Sequence, residues 1–246
     1  MIVFGIDTST PATVVGLRLD DGRTFEARDD PTAGERPGHA TRLLALSHGL
    51  LEEAGLAWGQ LERIAVGVGP GTFTGLRIGI ATSRGLAQSL NLKLVGISSP
   101  RALAHAVYER GRDWHRAVEH LGSESVGVLA VIDARRGETF VAAYEKELEL
   151  VAPHALAPAA IGELLERLAV ESSAKRWVAV GDGAVRYRDS LEHPSVIVPG
   201  PDCALHHIRA SAICALGACA TGEDVPVLPD YRRRPDAEIA LEGAVS

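Results

Sequence analysis

The sequence predicts an α/β protein built from two related lobes, and three observations predict it. A buried strand that ends in Asp, a short turn and a returning β-rich strand occur twice. They read IVFGI-DTSTPA-TVVGLRL from residue 2 and VLAVI-DARRGE-TFVAAYE from residue 128. Period-2 and period-3.6 patterns alternate through the first hundred residues in the order βββαβαβ. The size also suits such a fold: 246 residues, 46% apolar and 23% charged, are enough to bury a sizeable core.

Each element follows from its local pattern. Residues 2–6 are a continuous apolar run, as in a strand covered on both faces. Thr13–Leu19 is β-rich, Asp20-Asp21-Gly22 turns it, and Thr24–Arg28 returns. The Pro- and Gly-rich stretch 29–38 is a loop. A helix over His39–Ala54, a strand over Ile64–Val68, a helix over Thr74–Leu90 and a strand over Lys93–Ile97 complete the first lobe. The second lobe starts with strands over Val126–Ile132 and Glu138–Tyr144. An amphipathic helix over Pro158–Glu171 puts Ile161, Leu164, Leu165 and Leu168 on one side. Trp177–Gly181 is a strand, and Leu205–Thr221 a small, Ala-rich helix suited to close packing. The order is that of the ribonuclease H-like unit, and two such lobes are the plan of the actin-like ATPase fold. The expectation is a βββαβα repeat with a reduced second lobe. Residues 1–104 plus about 205–246 form the N-terminal lobe and about 105–204 the second. The boundary is expected near 98–122, where the pattern thins.

Composition narrows the function. The net charge of -7 argues against a basic nucleic-acid surface over the whole molecule. No apolar run approaches the ~20 residues of a membrane span, and the N-terminus lacks the basic start of a signal peptide. Cys203, Cys214 and Cys219 cannot all pair within one chain and read as reduced thiols of a cytoplasmic protein. No CxxC, HExxH or GxSxG occurs, so the patterns support neither a zinc site nor a serine nucleophile.

The most distinctive stretch is Gly69-Pro70-Gly71-Thr72-Phe73-Thr74-Gly75-Leu76-Arg77-Ile78-Gly79, between a strand and a helix. The glycines allow tight turns, Thr72 or Thr74 suits the helix cap, and such a turn exposes backbone N–H groups. It is not a P-loop, because no Gly-Lys-Ser/Thr follows. GPGTFTGLRIG is similar to the signature of the TsaB (YeaZ) family of tRNA threonylcarbamoyladenosine biosynthesis subunits. IDTST at 6–10, His39-Ala40-Thr41, IDARRGE at 132–138 and Pro229-Asp230-Tyr231-Arg232-Arg233 resemble that family as well. The resemblance implies a cytoplasmic scaffold without its own catalytic site, paired with the catalytic paralogue TsaD. It also implies the P-loop ATPase TsaE as a further partner, contact with tRNA only through the complex, and a homodimer when the chain is alone. The metal-binding His-x-x-x-His pair of TsaD-like proteins is replaced by Ser98-Ser99-Pro100-Arg101-Ala102-Leu103, so no metal is expected. His105, the His115/His120 pair and His206-His207 have no ligand spacing either.

Two candidate sites follow. The first is a pair of degenerate phosphate hairpins. Asp7, Thr8 and Ser9 offer a carboxylate for a hydrated Mg²⁺ and hydroxyls for phosphate. Asp133, Arg135 and Arg136 instead put bulky side chains where actin-like ATPases carry glycines. Gly181-Asp182-Gly183 is a weak echo of an adenosine-binding turn. No tightly bound cofactor is expected, with ATP and Mg²⁺ admitted only in the complex. The second site is a helix surface. Leu43, Leu46 and Leu50 belong to an apolar arc wider than one sheet needs. Ile78, Ala81, Thr82, Gly85 and Ser89 form a small, uncharged helix face that lets another helix approach. The resemblance implies that these two helices meet the partner. The leading reading is thus a non-catalytic activator. An ATP-dependent small-molecule kinase and a glycoprotease-like metallopeptidase are the alternatives, and Arg232, Arg233 and Arg234 form a short cluster that tests direct tRNA contact.

Overall fold

The computed structural model describes residues 1–32, 34–109, 126–146, 148–221 and 226–232. Two five-stranded sheets share one plan. In the first, β1 (Val3–Asp7), β2 (Thr13–Arg18) and β3 (Thr24–Asp29) pair antiparallel. β4 (Arg63–Gly69) and β5 (Lys93–Ser98) join the other side of β1 in parallel. In the second, β6 (Val126–Arg135), β7 (Glu138–Glu145) and β8 (Leu148–Leu156) pair antiparallel. β9 (Arg176–Val180) and β10 (Val196–Ile197) join β6 in parallel. The strand orders β3-β2-β1-β4-β5 and β8-β7-β6-β9-β10 are therefore equivalent. The molecule is an α/β protein of two mixed sheets, as the repeated strand–Asp–turn–strand pattern predicts.

Helices α1 (His39–Ala54) and α2 (Phe73–Leu90) cover one face of the first sheet. Phe4, Ile6, Val15, Leu17, Leu43, Leu50, Ile64, Val66 and Ile80 form the core between them. Each such fully buried side chain contributes about 1.5–3 kcal/mol. Helix α3 (Ser99–Tyr108) runs on from β5 and packs on β6 of the second sheet. In the second lobe α4 (Ile161–Glu171) takes the place of α1. The five-residue α5 (Asp182–Arg186) stands where the first lobe has the 18-residue α2. That replacement is the reduction expected of the second lobe. Helix α6 (Ala210–Cys219) packs back on β1 and β2. Its approach is close because glycine faces it: a Cβ at Gly5 would lie 2.6 Å from Cys214 Sγ.

Some sequence expectations need correction. The thinned stretch near 98–122 opens with helix α3, capped at Ser98, whose Oγ accepts from Arg101 N, with Pro in the first turn. The rest of that stretch, 110–122, lies outside the described residues, as do His115 and His120. The expected single helices over 158–171 and 205–221 each start with a 3₁₀ turn, Pro158–Ala160 and Ala204–His206, before α4 and α6. Thr72 does stand at the N-cap of α2, but its side chain makes no capping bond.

Candidate functional site

The glycine-rich signature closes on the first hairpin. Thr72 N–H donates to Ser9 O at 2.7 Å, and Thr8 Oγ1 donates to Gly75 O at 2.8 Å. Any side chain at the contact would collide with backbone. A Cβ at Gly75 would lie 2.0 Å from Thr8 O, and one at Gly71 would lie 2.3 Å from Ser9 O. The glycines therefore serve this contact, and the backbone of the signature reaches its neighbour directly.

Asp7, Thr8 and Ser9 are fully buried. Asp7 Oδ1 accepts from Ser9 N at 2.8 Å and Ser9 Oγ at 2.7 Å, and Oδ2 accepts from Ser99 Oγ at 2.9 Å. Burial pushes the Asp7 carboxyl above the usual range, and these hydrogen bonds oppose the shift. All three residues face inward and bind one another, Ser99 or the signature. Ser99 was not among the predicted site residues, since nothing in SSPRAL signals a carboxylate partner. His39, at the start of α1, is buried beside this contact, with Nδ1 2.8 Å from Thr13 Oγ1.

The second hairpin is built differently. Arg135 and Arg136 occupy left-handed backbone, with φ of 66° and 54°, before Gly137 at 80°. Left-handed backbone costs an L-residue roughly 1–2 kcal/mol, and Asn or Gly is the usual occupant of such turns. Asp133 Oδ1 accepts from Arg135 N at 2.9 Å and from Tyr187 OH at 3.4 Å. Its Oδ2 lies 3.3 Å from Arg135 Nη1 and 3.7 Å from Arg186 Nη1. Behind it, Asp182 Oδ1 accepts from Asp133 N–H at 3.0 Å. Burial first, with the nearby Asp133 charge, pushes the Asp182 carboxyl up to about 6. Asp182, Arg186 and Tyr187 converge on Asp133 from α5 and its end, a convergence that no short motif announces. The Gly181 turn meets β6 closely: a Cβ at Gly181 would lie 2.1 Å from Val131 O. Packing on β6 thus accounts for the Gly-Asp-Gly sequence.

The helix surface divides. Leu43 and Leu50 are 2% and 1% exposed and point into the first core, so they are not open to a partner. This corrects their placement in an interface: the Leu43 and Leu50 side of the α1 arc is covered by its own sheet and by α2. Leu46 is half-buried, while Leu44 is 54% exposed. On α2, Leu76, Ile80, Ser83 and Ala87 face the sheet. Ala81, Gly85 and Ser89 are exposed and Ile78 and Thr82 half-buried on the other side. A Cβ at Gly85 would meet nothing within 4 Å.

Among the described residues no three His, Cys, Asp or Glu side chains gather as a metal set, and no helix is long and apolar enough to cross a membrane. Arg232 pairs with Asp230 at 2.6 Å, while Arg233 and Arg234 lie outside the described residues.

Comparison with known proteins adds four findings. The family model described as TsaD, tRNA N6-adenosine threonylcarbamoyltransferase, matches residues 34–169. The tRNA threonylcarbamoyladenosine biosynthesis protein TsaB of Escherichia coli (strain K12) is 31% identical over 236 residues, covering 92% of this chain and 91% of the relative. The structure of YeaZ from Pseudomonas aeruginosa superposes with a TM-score of 0.70 at 28% identity, covering 94% of this chain and 99% of that one. A hexokinase of the ROK type from Thermus thermophilus, at a TM-score of 0.51 and 15% identity, shares the fold alone and covers 89% of this chain and all of its own.

Proposed function

The chain belongs to the TsaB (YeaZ) family, and from that membership we propose that it takes part in making threonylcarbamoyladenosine in tRNA as a non-catalytic activator. It docks on a TsaD-type catalytic subunit through the open face of α2. The observation that carries this reading is that face: Ile78, Ala81, Thr82, Gly85 and Ser89 leave room for another helix to approach to backbone distance. The hairpins support the same reading. Asp7 would have to give up three hydrogen bonds to serve a ligand, and Asp133 is held by Arg135, Arg186 and Tyr187. A TsaE-type ATPase and tRNA are reached through the complex, in the cytoplasm. ATP and Mg²⁺ bind only there, and α2 pairs with a second copy when the catalytic subunit is absent.

Gly85→Leu tests the docking. It adds a branched side chain to an exposed helix position, so the fold should stand. Affinity for the TsaD-type subunit should fall by roughly 5- to 150-fold, because overfilling a close contact costs about 1–3 kcal/mol. Pull-down of the tagged chain with its TsaD-type subunit, followed by titration calorimetry, reads this directly. Wild-type affinity in Gly85→Leu would remove α2 from the interface.

A further inference from the structure

The segment 226–232 lies across the end of the first sheet and the first turns of α2. Val227 covers Gly96 of β5, where a Cβ would meet Val227 Cγ1 at 3.3 Å. Asp230 N–H donates to Val68 O at 2.8 Å, and Arg84 Nη2 donates to Val227 O. At the start of α2 the guanidinium of Arg77 lies 3.7 Å over the Phe73 ring, and its Nε donates to Tyr231 OH at 2.9 Å. The Phe73 and Tyr231 rings lie 5.2 Å apart, and both side chains stay more than a third exposed, at 37% and 42%. This is a fixed, half-open arrangement of two aromatic rings and an arginine.

Its charge is unbalanced. Helix α2 carries Arg77 and Arg84 and no acidic residue. Among the described residues both arginines are held by neutral groups, a phenol oxygen, ring faces and a carbonyl, and neither joins an ion pair. Elsewhere Arg23, Arg28 and Arg135 each meet a carboxylate. A guanidinium stacked on a ring and bonded through Nε is pre-ordered, with its fork of Nη donors suited to a carboxylate.

We propose that the segment 226–232 is part of the partner surface: it fixes Arg77 and Arg84 beside the open face of α2 so that they bind carboxylates on an acidic protein partner. The proposal rests on the docking reading above. A second copy of this chain can use the same face when the catalytic subunit is absent, but its α2 offers no carboxylate to receive Arg77 and Arg84. A nucleic acid would need no small-residue face, and the exposed rings of Phe73 on α2 and Tyr231 on the segment 226–232 stand together at the start of that helix.

The experiment is calorimetric titration of the full chain with the TsaD-type subunit at low and high salt. Arg77→Gln should weaken binding about 10-fold at low salt and flatten its salt dependence, as for a charge pair lost from an interface. Arg84→Gln should act in the same direction. Arg77→Lys should recover part of the affinity. Tyr231→Phe keeps the ring but loses the hydroxyl, and should cost a few-fold. If Arg77→Gln and Arg84→Gln bind like the wild type while Gly85→Leu does not, the docking reading stands and this proposal falls. If Gly85→Leu also binds normally, the docking reading itself fails. Loss of a homodimer in sedimentation with the complex unchanged would assign the arginines to a second copy, and the proposal would be overturned.

Discussion

The two hairpins start from the same pattern and end as opposites. In the first, Asp7, Thr8 and Ser9 are fully buried and the glycine-rich signature packs backbone to backbone over them. In the second, Asp133 is buried but the turn beyond it is exposed, left-handed and arginine-bearing. One turn is held by small residues that let chain meet chain. The other is held by ion pairs and hydrogen bonds from α5 onto one carboxylate. A shared strand–Asp–turn–strand pattern therefore fixes where a turn stands, and its small or large residues decide whether it is sealed or open.

The sharpest break of this contrast is a methyl group on each side. Gly75→Ala drives a Cβ to within 2.0 Å of Thr8 O, with no flexible side chain to yield. We expect a loss of about 3–5 kcal/mol, the upper range for single substitutions. Gly137→Ala, in open space at a φ of 80°, should cost only about 1 kcal/mol, from the backbone alone. Urea midpoints of the two variants measure the difference. Equal losses would show that the seal over the first hairpin has no special stability.

A smaller effect comes from pH at the second hairpin. Asp182 is raised from 3.8 to about 6, chiefly by burial. Between pH 4 and 6 the folded protein therefore keeps a proton that the unfolded chain has released. The contribution of this group to stability falls as pH rises through that window, and stays low above it. Asn carries no charge there, and its Oδ1 still accepts from Asp133 N–H. Asp182→Asn should gain about 2 kcal/mol over the wild type at pH 7.5, and the gain should vanish below pH 4. A gain independent of pH, read from denaturant melts across that range, would reject burial of charge as the cause.

Much of this was legible in the sequence because it is local. Residues 2–6 are continuously apolar and become β1, and Asp20-Asp21-Gly22 turns β2 into β3 with Gly22 at a φ of 88°. The 3.6-residue period placed Leu76, Ile80, Ser83 and Ala87 toward the sheet and left Gly85 outside. What was not legible depends on distant partners. The partner of Asp7 is Ser99, 92 residues away, and no local pattern joins the two. Leu43 and Leu50 read as surplus until the sheet and α2 are seen to cover them. Tyr231 sits on Arg77, 154 residues earlier, and no periodicity connects them.

The finest test asks whether the second turn is strained by its arginines. Arg136 sits at a φ of 54°, which an L-residue adopts at a cost and glycine does not. Arg136→Gly relieves that cost but gains chain entropy in the unfolded state, which offsets only part of the relief. The net is a stabilisation of about 0.5–1 kcal/mol. Arg136→Val keeps a Cβ and adds a branch, so it should instead lose about 1–2 kcal/mol at this backbone conformation. Opposite signs in thermal melts would mark the turn as strained. A loss in both variants would mean that the Arg136 side chain stabilises the turn by more than its backbone conformation costs, and the second hairpin would then be held by side chains at its tip as well as at Asp133.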